Sequence, residues 1–274
     1  MGIITLTTDF GLDDYHVAAL KGSIYSQISD VIIVDISHQI MPFDLIQTAY
    51  IIQNSYKNFP KGTIHVIGVD ALPSPFVKSL AAEINGHFFI CNDNGILSLI
   101  AEEYIPDQVY EITINKYDDF HFLTKDLFIP VACHLARGGK IELIGRKINT
   151  YKELTQPKPV EKSEDNSITG MVIHVDNFGN AITNISKEKF HQFGKKKNFI
   201  IFARNVQFTE IKSKYTDILG NDPDENKFHG KAFAIFNSSG YLQISMYKSN
   251  LRTVGGASSL MGLYIGTNIR VVFD

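Results

Sequence analysis

The chain has 274 residues, 44 % of them hydrophobic and 20 % charged, which excludes a disordered protein and predicts about two domains. Its net charge of −3 excludes a globally basic nucleic-acid binder, and its two cysteines are too few for a disulfide framework. No apolar stretch reaches the roughly 18 residues of a membrane span. The first residues also lack a secretory signal pattern, so we expect a soluble, cytoplasmic protein.

The first half of the chain alternates short apolar runs with amphipathic stretches, which is typical of an α/β domain. Asn85-Gly86 lies between two apolar runs and predicts a β-hairpin. In chain order the pattern predicts a strand at residues 3–7, a helix at 15–26, a strand at 31–36, a helix from Pro42 to about Tyr56, a strand at 63–69 and the hairpin at 78–91.

The second half of the chain has a different pattern. A polar segment with two prolines predicts an interdomain linker at residues 156–168. Beyond it, short strand patterns follow one another with little helix between them, which predicts a small β-barrel or sandwich. We therefore expect an α/β N-terminal domain at residues 1–155 and an all-β, barrel-like C-terminal domain at residues 169–274.

Four carboxylates directly follow predicted strands: Asp9, Asp70, Asp93 and Asp176. In open α/β sheets ligands bind at the carboxyl ends of the strands, so this placement points to a binding site. The alternative is that each aspartate only caps a turn or a helix N-terminus.

A divalent metal is the other interpretation of the acidic turn at Asp9, Asp13 and Asp14. The spacing lacks the ligand pattern of a calcium loop, and no helix carries two histidines at metal-binding spacing. Asp13 and Asp14 also precede a predicted helix, whose positive end favours acidic residues. We expect no metal and no cofactor, and an unrelated metallohydrolase is the weakest alternative.

The segment Val175–Ser186, VDNFGNAITNIS, combines a carboxylate, an aromatic ring and amides within a few residues. Asp176 and Asn180 offer hydrogen bonds to polar edges, and Phe178 offers a flat face to a ring. These are the elements of a nucleoside pocket, although the same residues also suit a plain hairpin turn.

Six segments spread over almost the whole chain form a specific combination. They are TLTTDFGLDD (Thr5–Asp14), DISH (Asp35–His38), FPKGTIHV (Phe59–Val66), NDNGILS (Asn92–Ser98), VDNFGNAITNI and NSSGYLQI (Asn237–Ile244). Together they resemble the S-adenosylmethionine hydroxide adenosyltransferases, relatives of the fluorinase and chlorinase halogenating enzymes. The resemblance implies an α/β domain followed by a β-barrel. It also implies a homotrimer with each active site between the N-terminal domain of one subunit and the C-terminal domain of its neighbour.

The resemblance also implies roles for individual residues. Asp9 would hold the two ribose hydroxyls through paired charge-assisted hydrogen bonds. The other implied substrate contacts are Phe43 around the ribose and sulfonium, Thr124 near the reacting carbon, Asp176 on the methionine ammonium, Phe178 and Asn180 on adenine, Tyr215 covering adenine, and Ser238 on the methionine carboxylate.

The chain departs from the family pattern at the catalytic centre. The family's hydrolases activate water with an aspartate, an arginine and a histidine. Asp70 matches the aspartate, but Val77 or Lys78 stands at the arginine position and Leu123 at the histidine position. His121 lies two residues before Leu123 and would point the same way on a strand, so Lys78 and His121 are the candidate helpers of Asp70.

Two functions follow from the matched and unmatched residues. The first is hydrolysis of S-adenosylmethionine to adenosine and L-methionine by water attack at the ribose 5′ carbon. The sulfur leaves as a neutral thioether, so the site must position the reactants, exclude bulk water and activate the nucleophile. The alternative is a catalytically impaired paralogue that binds adenosine or S-adenosylmethionine without efficient turnover, since lost proton-transfer help costs about 10²- to 10⁴-fold in rate.

Overall fold

The computed structural model describes residues 2–101, 104–114, 120–195 and 197–274. The chain forms two compact units, Met1–Gln156 and Pro157–Asp274. The first unit is an α/β sheet with helices and the second consists mostly of strands, so the predicted fold class is confirmed. Among the described residues, none of the helices combines the length and the apolar character needed to cross a membrane.

In the first unit the described strands form one sheet, in the order β2-β1-β3-β5-β4-β6-β7. Its strands are β1 (Ile3–Thr8), β2 (Ile32–Ser37), β3 (Ile64–Gly68), β4 (Ser79–Ile84), β5 (His87–Asn92), β6 (Gln108–Ile112) and β7 (Gly145–Ile148). Its helices are α1 (His16–Gln27), α2 (Leu45–Gln53), α3 (Ile96–Ile100) and α4 (Ile129–Ala136), the last continuing a π-helical turn at Thr124–Phe128.

The parallel part of this sheet contains a topological switch point. The chain leaves β1 for β2 on one side and then returns to β3 on the other side, and all three strands are parallel. Ligand sites of open α/β sheets lie outside the carboxyl ends of the strands at such a point. Asp9 directly follows β1 and Asp70 lies two residues after β3, so the fold places both carboxylates there.

Both faces of the sheet are covered, which explains the nearly continuous apolar strands. On one face Ile4 and Leu6 pack with residues of α1 and α4, and on the other Ile67 packs with α2 and α3. The predicted hairpin is confirmed: Asn85 (φ 51°) and Gly86 (φ 76°) are both left-handed, as a two-residue type I′ turn requires.

The second helix is shorter than the predicted range from Pro42 to about Tyr56. It begins at Leu45 because the Asp44 carboxylate caps it, accepting a hydrogen bond from Gln47 N at 2.8 Å. It ends at Gln53, and a separate 3₁₀ turn at Tyr56–Asn58 completes the apolar stretch.

In the second unit a barrel-like sheet with the order β12-β11-β16-β9-β10-β15-β14-β13 is nearly closed. Its strands are β8 (Val160–Lys162), β9 (Ser167–Val175), β10 (Ala181–Ser186), β11 (Phe199–Ala203), β12 (Val206–Phe208), β13 (Ile211–Lys212), β14 (Ala232–Phe236), β15 (Tyr241–Met246) and β16 (Asn268–Phe273). The helices of this unit are α5 (Lys187–Gly194) and α6 (Ala257–Leu260).

The segment interpreted as a linker, residues 156–168, is largely part of the second unit. It contains β8, which pairs antiparallel with the beginning of β9. A turn with Asn166 in the left-handed region (φ 46°) joins the two strands, and Lys189 pairs with Glu161 at 2.5 Å. All three residues of β8 are exposed, so the strand has no apolar pattern that the sequence could reveal.

A buried histidine pair at the amino ends of β3 and β5 predicts acid sensitivity. His65 Nδ1 lies 2.7 Å from Thr5 Oγ1, and its Nε2 lies 3.3 Å from His87 Nδ1. Burial, with a smaller contribution from His87, lowers the pKa of His65 to about 3, so the folded state keeps this ring neutral. The unfolded chain binds the proton near pH 6.5, so the free energy of unfolding should fall as the pH drops from about 6.5 towards 3.

Urea unfolding of the wild type and of His65→Gln between pH 8 and pH 5 measures this contribution. The variant keeps a hydrogen-bonding side chain but has no titrating ring, so we expect a shallower decline of the unfolding free energy with falling pH. Burial also lowers the pKa of His87, so part of the decline should persist. Identical pH slopes for the two proteins would contradict the assignment.

Candidate active site

Asp9 connects three loops at the switch point through one carboxylate oxygen. Its Oδ2 accepts a hydrogen bond from Phe43 N at 3.0 Å and another from Asp70 N at 3.3 Å. Phe43 (φ 67°) and Asp70 (φ 48°) are both left-handed without being glycine, a conformation that other residues adopt only at a cost. No described residue donates to Asp9 Oδ1, so that oxygen is available to a ligand.

The Asp70 carboxylate is half-buried and makes no hydrogen bond or ion pair with the described part of the chain. Its main chain is held instead: the Asn92 and Asn94 side chains donate to Asp70 O at 3.4 and 3.3 Å. The sequence pattern alone does not single out these two amides. Their position directly after a strand, at the same sheet edge, was the available signal.

His38 supports the turn after β1. Its Nδ1 lies 2.8 Å from Thr8 Oγ1 and its Nε2 lies 3.1 Å from Asp35 Oδ1, while Gly11 N donates to its carbonyl at 2.7 Å. Partial burial acts to raise the pKa of Asp35, but hydrogen bonds from Lys21 and His38 hold that pKa below its usual value. Thr8 directly precedes Asp9, so this network holds the backbone from which the Asp9 side chain extends.

An aromatic cluster, which the sequence pattern does not reveal, surrounds the same turn. The Tyr15 and His16 rings stack at 4.4 Å between centroids, and Phe122 meets His16 edge-on at 5.3 Å and Phe10 at 5.4 Å. Asp14 lies beside the cluster: it accepts from Tyr15 N at 2.6 Å, and its carboxylate lies 3.3 Å from His16 Nδ1. In the described residues no three metal-ligating side chains come together.

Phe43 and Thr124 offer different surfaces. The Phe43 side chain is 60 % exposed, whereas Thr124 is fully buried at the start of the π-helical turn. No described residue bonds Thr124 Oγ1, and π-helical turns are frequent at functional sites. Gly68, the last residue of β3, makes room for it: a Cβ there would lie 2.9 Å from both Oγ1 and Cγ2 of Thr124.

Replacing Gly68 with alanine is therefore expected to destabilise the fold by about 1–3 kcal/mol through overpacking. Because the clash is with Thr124, the double variant Gly68→Ala/Thr124→Ala should recover part of the loss. Urea unfolding of the two single variants and the double variant measures the coupling. Strictly additive losses would show that the two side-chain positions do not compete for the same space.

Lys78 and Leu123 line a cavity of about 680 Å³ in the first unit. Lys78 is exposed, and its ammonium makes no ion pair with a described residue. Leu123 is buried in the cavity floor, and the cavity also holds Glu111, whose carboxylate pairs with Arg146 at 2.8 Å. Lys78 thus offers a cation at or beside the expected arginine position, Arg146 is a second cation of the same cavity, and Leu123 places an apolar group where the histidine was expected.

The predicted orientation of His121 depends on a strand that does not form. Residues 121 and 122 make a bend, and Leu123 has helical angles (φ −50°, ψ −45°) as the N-cap of the π-helical turn. Side chains two residues apart therefore do not point the same way here. His121 is exposed to solvent.

In the second unit three predicted residues form one hydrogen-bonded chain. Asp176 Oδ2 accepts from Asn180 Nδ2 at 2.7 Å, and Asn180 Oδ1 accepts from the Tyr215 hydroxyl at 2.9 Å. Burial raises the pKa of Tyr215, so the hydroxyl stays a donor. Each amide atom of Asn180 keeps one further hydrogen-bonding position.

Phe178 lies at the tip of the turn between β9 and β10. Asp176 Oδ1 accepts from Phe178 N and Asn180 N, both at 2.9 Å, and Ser249 Oγ donates to Phe178 O at 2.8 Å. These bonds fix the backbone of the turn while the Phe178 side chain is 60 % exposed. The turn therefore presents a flat aromatic face to a ligand or a partner.

Ser238 does not join this cluster within the second unit. It lies in the β14–β15 turn, near the end of β10 where Ser186 faces Tyr241. The Asp176–Asn180 turn adjoins the other end of β10, where Ala181 faces Ile244. The structure thus brings Asp9, Phe43 and Asp70 together in one unit, and Asp176, Asn180 and Tyr215 in the other.

Comparisons with known proteins identify the family of this chain. Residues 4–145 match the S-adenosylmethionine hydroxide adenosyltransferase N-terminal domain, and residues 170–270 match its C-terminal domain. An (R)-S-adenosyl-L-methionine hydrolase of Methanocaldococcus jannaschii is 27 % identical over 281 residues, covering 100 % of this chain and 97 % of the relative. A fluorinase of Nocardia brasiliensis is 26 % identical over 221 residues, 70 % of this chain and 74 % of the relative.

Among solved structures, an uncharacterized conserved protein from Thermotoga maritima superposes with a TM-score of 0.84 at 25 % identity. The match covers 98 % of this chain and 99 % of that one. The two family matches lie one in each structural unit and together span most of the sequence. The chain belongs to the S-adenosylmethionine hydroxide adenosyltransferase family.

Proposed function

We propose that this protein hydrolyses S-adenosyl-L-methionine to adenosine and L-methionine. The observation that carries the proposal is the pair of carboxylates at the switch point. Asp9 is anchored through Oδ2 and open at Oδ1, while Asp70 is half-buried and unpaired in the described structure. A full-length relative carries the name of this hydrolase, which supports the same assignment.

Asp9 binds the ribose and Asp70 orients the attacking water. Asp9 Oδ1 accepts hydrogen bonds from the ribose hydroxyls, and Phe43 packs against the sugar. Asp70 accepts a hydrogen bond from a water molecule and orients its oxygen towards the 5′ carbon. Phe178, Asn180 and Tyr215 receive adenine, and Asp176 and Ser238 bind the methionine amino and carboxylate groups.

The reaction is a direct displacement. A lone pair of water forms the bond to the 5′ carbon while the carbon–sulfur bond breaks and its electron pair returns to the sulfonium, giving neutral methionine. The proton of the attacking water passes to Asp70 and then to solvent. Because the sulfonium itself is the activated leaving group, the chemistry requires neither a general acid nor a cofactor, and S-adenosylmethionine is only a substrate.

The replaced residues set the expected rate. With Leu123 at the histidine position, water activation depends on Asp70. Lys78, which lines the cavity, is the candidate for the positive charge that the family's arginine supplies. His121 is at most a solvent-side helper, since the bend leaves it exposed. We therefore propose a slow hydrolase; a binder without turnover is the alternative, and the hydrolase names of the relatives do not favour it.

For the assembly we propose a homotrimer in which the first unit of one subunit and the second unit of its neighbour share each active site. The exposed aromatic faces of Phe43 and Phe178 support a shared site, because each belongs to one half of the substrate-binding set. We also propose a cytoplasmic location, supported by the two free, buried cysteines, Cys91 and Cys133. Light scattering that gives the mass of one chain would contradict the trimer.

Incubation of the purified protein with S-adenosylmethionine in ¹⁸O-labelled water tests the function. We expect adenosine and methionine in equal amounts, with the label in the 5′-hydroxyl of adenosine. The relatives' name specifies the R epimer, so both sulfonium epimers should be followed separately. No adenosine after hours at high protein concentration, together with measurable adenosine binding, would leave only the non-catalytic alternative.

A further inference from the structure

We infer that Asn92 and Asn94 are positioning residues that set both carboxylates of the site through the main chain of Asp70. The expected effect on kcat rests on the proposed hydrolase function. Each side chain is buried and donates to carbonyl groups at or beside Asp70.

Asn94 spans the peptide groups on either side of Asp70. Its Nδ2 donates to Val69 O and to Asp70 O, both at 3.3 Å, and its side chain is only 6 % exposed. Its Oδ1 accepts from Ile96 N at 3.1 Å, at the start of α3. The amide therefore ties the turn after β3 to the beginning of a helix.

Asn92 makes a second connection from the end of β5. Its Nδ2 donates to Asp70 O at 3.4 Å and to Leu72 O at 3.3 Å, and its Oδ1 accepts from Ser79 Oγ at 3.3 Å. Asn92 is only 2 % exposed, so water cannot replace these hydrogen-bond partners. The carbonyls of residues 69, 70 and 72 are thus all held by the two asparagines.

The conformation of Asp70 explains why such support is needed. A left-handed aspartate (φ 48°) persists only where its surroundings hold it there. In this orientation the Asp70 N–H reaches Asp9 Oδ2, and the Asp70 carboxylate stays free. Amides suit this support of the main chain because they donate to carbonyls without adding charge. A negative charge at this position would raise the pKa values of the two neighbouring carboxylates.

Asn94→Asp is the direct test, because aspartate keeps the acceptor for Ile96 N, loses the donors to the Val69 and Asp70 carbonyls and adds the negative charge that an amide avoids. We expect kcat to fall about tenfold, the order of one lost hydrogen bond, and the dissociation constant for adenosine to rise through the Asp70–Asp9 contact. Activity assays, calorimetric titration with adenosine and circular dichroism should be run below the melting temperature of the variant.

The matched control is Asp93→Asn, the opposite exchange at the residue between them. Among the four strand-end carboxylates, Asp93 has the plain turn role named as the alternative: its Oδ1 accepts from Lys152 N at 2.7 Å, and an asparagine keeps that acceptor. We expect kcat and adenosine affinity at the wild-type level. A purely structural effect of altering this segment would reduce the activity of this variant as well.

Asn92→Asp provides a second variant that keeps the acceptor for Ser79 but loses the donors to Asp70 and Leu72. Wild-type kcat and adenosine affinity in the folded Asn92→Asp and Asn94→Asp proteins would overturn the inference. If the wild type binds adenosine but does not turn over substrate, the hydrolase proposal fails alone, and the adenosine affinities still test the asparagines. A wild type that binds no adenosyl compound overturns both.

Discussion

Asp70→Asn is expected to lower kcat by about 10²- to 10⁴-fold, the range for a lost general base, while the affinity for adenosine stays nearly unchanged. Asparagine has almost the same size and tolerates the left-handed conformation that Asp70 adopts at φ 48°. It also keeps the backbone N–H that donates to Asp9. The substitution thus removes the base and leaves the ribose contact in place.

The measurement pairs chromatographic detection of released adenosine with calorimetric titration of adenosine. Asp107→Asn, an exposed carboxylate before β6, is the control and should turn over substrate like the wild type. Equal kcat values for Asp70→Asn and the wild type would assign water activation to another group, with Lys78 the first to test. If the protein is only a binder, Asp70→Asn changes nothing measurable.

The local sequence was sufficient wherever a short signal determines the backbone. Asn85-Gly86 specifies a type I′ turn by itself, and Asp44 caps the helix that follows it. The strand-end positions of Asp9 and Asp70 followed from apolar runs that end in polar turns. The switch point between β1 and β3 then brought the two carboxylates together, as the general rule for such sheets requires.

Contacts between segments that are far apart in the chain could not be predicted from the local sequence pattern. The hydrogen bond between Asn180 and Tyr215 joins residues 35 positions apart, and the two asparagines reach Asp70 across more than 20 positions. No residue-level signal shows that Phe43 is left-handed, because that conformation depends on the Asp9 oxygen that accepts its N–H.

Two features of the local structure could not be predicted from the sequence pattern. His121 was aligned with Leu123 on a supposed strand, but the aromatic residues before the π-helical turn form a bend. The segment at 160–162 was interpreted as linker because a three-residue strand with every side chain exposed has no hydrophobic alternation.

Asp9→Asn is expected to weaken adenosine binding by about 1–3 kcal/mol, roughly 5- to 150-fold in the dissociation constant, with only a small loss of stability. The asparagine oxygen can still accept the N–H groups of Phe43 and Asp70, so both left-handed turns keep their partner. The amide nitrogen then occupies the place of Oδ1, which removes the charge and the acceptor that two ribose hydroxyls require.

Asp44→Asn is the matched control for this variant. Asp44 directly follows Phe43 and also accepts a backbone N–H, but its partner is Gln47 and asparagine caps a helix equally well. Calorimetric titration should therefore give wild-type adenosine affinity for Asp44→Asn and weak binding for Asp9→Asn. Methionine carries no ribose, so its affinity should be the same in the two variants. Loss of methionine binding in Asp9→Asn would show that the substitution disturbs the whole site rather than the ribose contact.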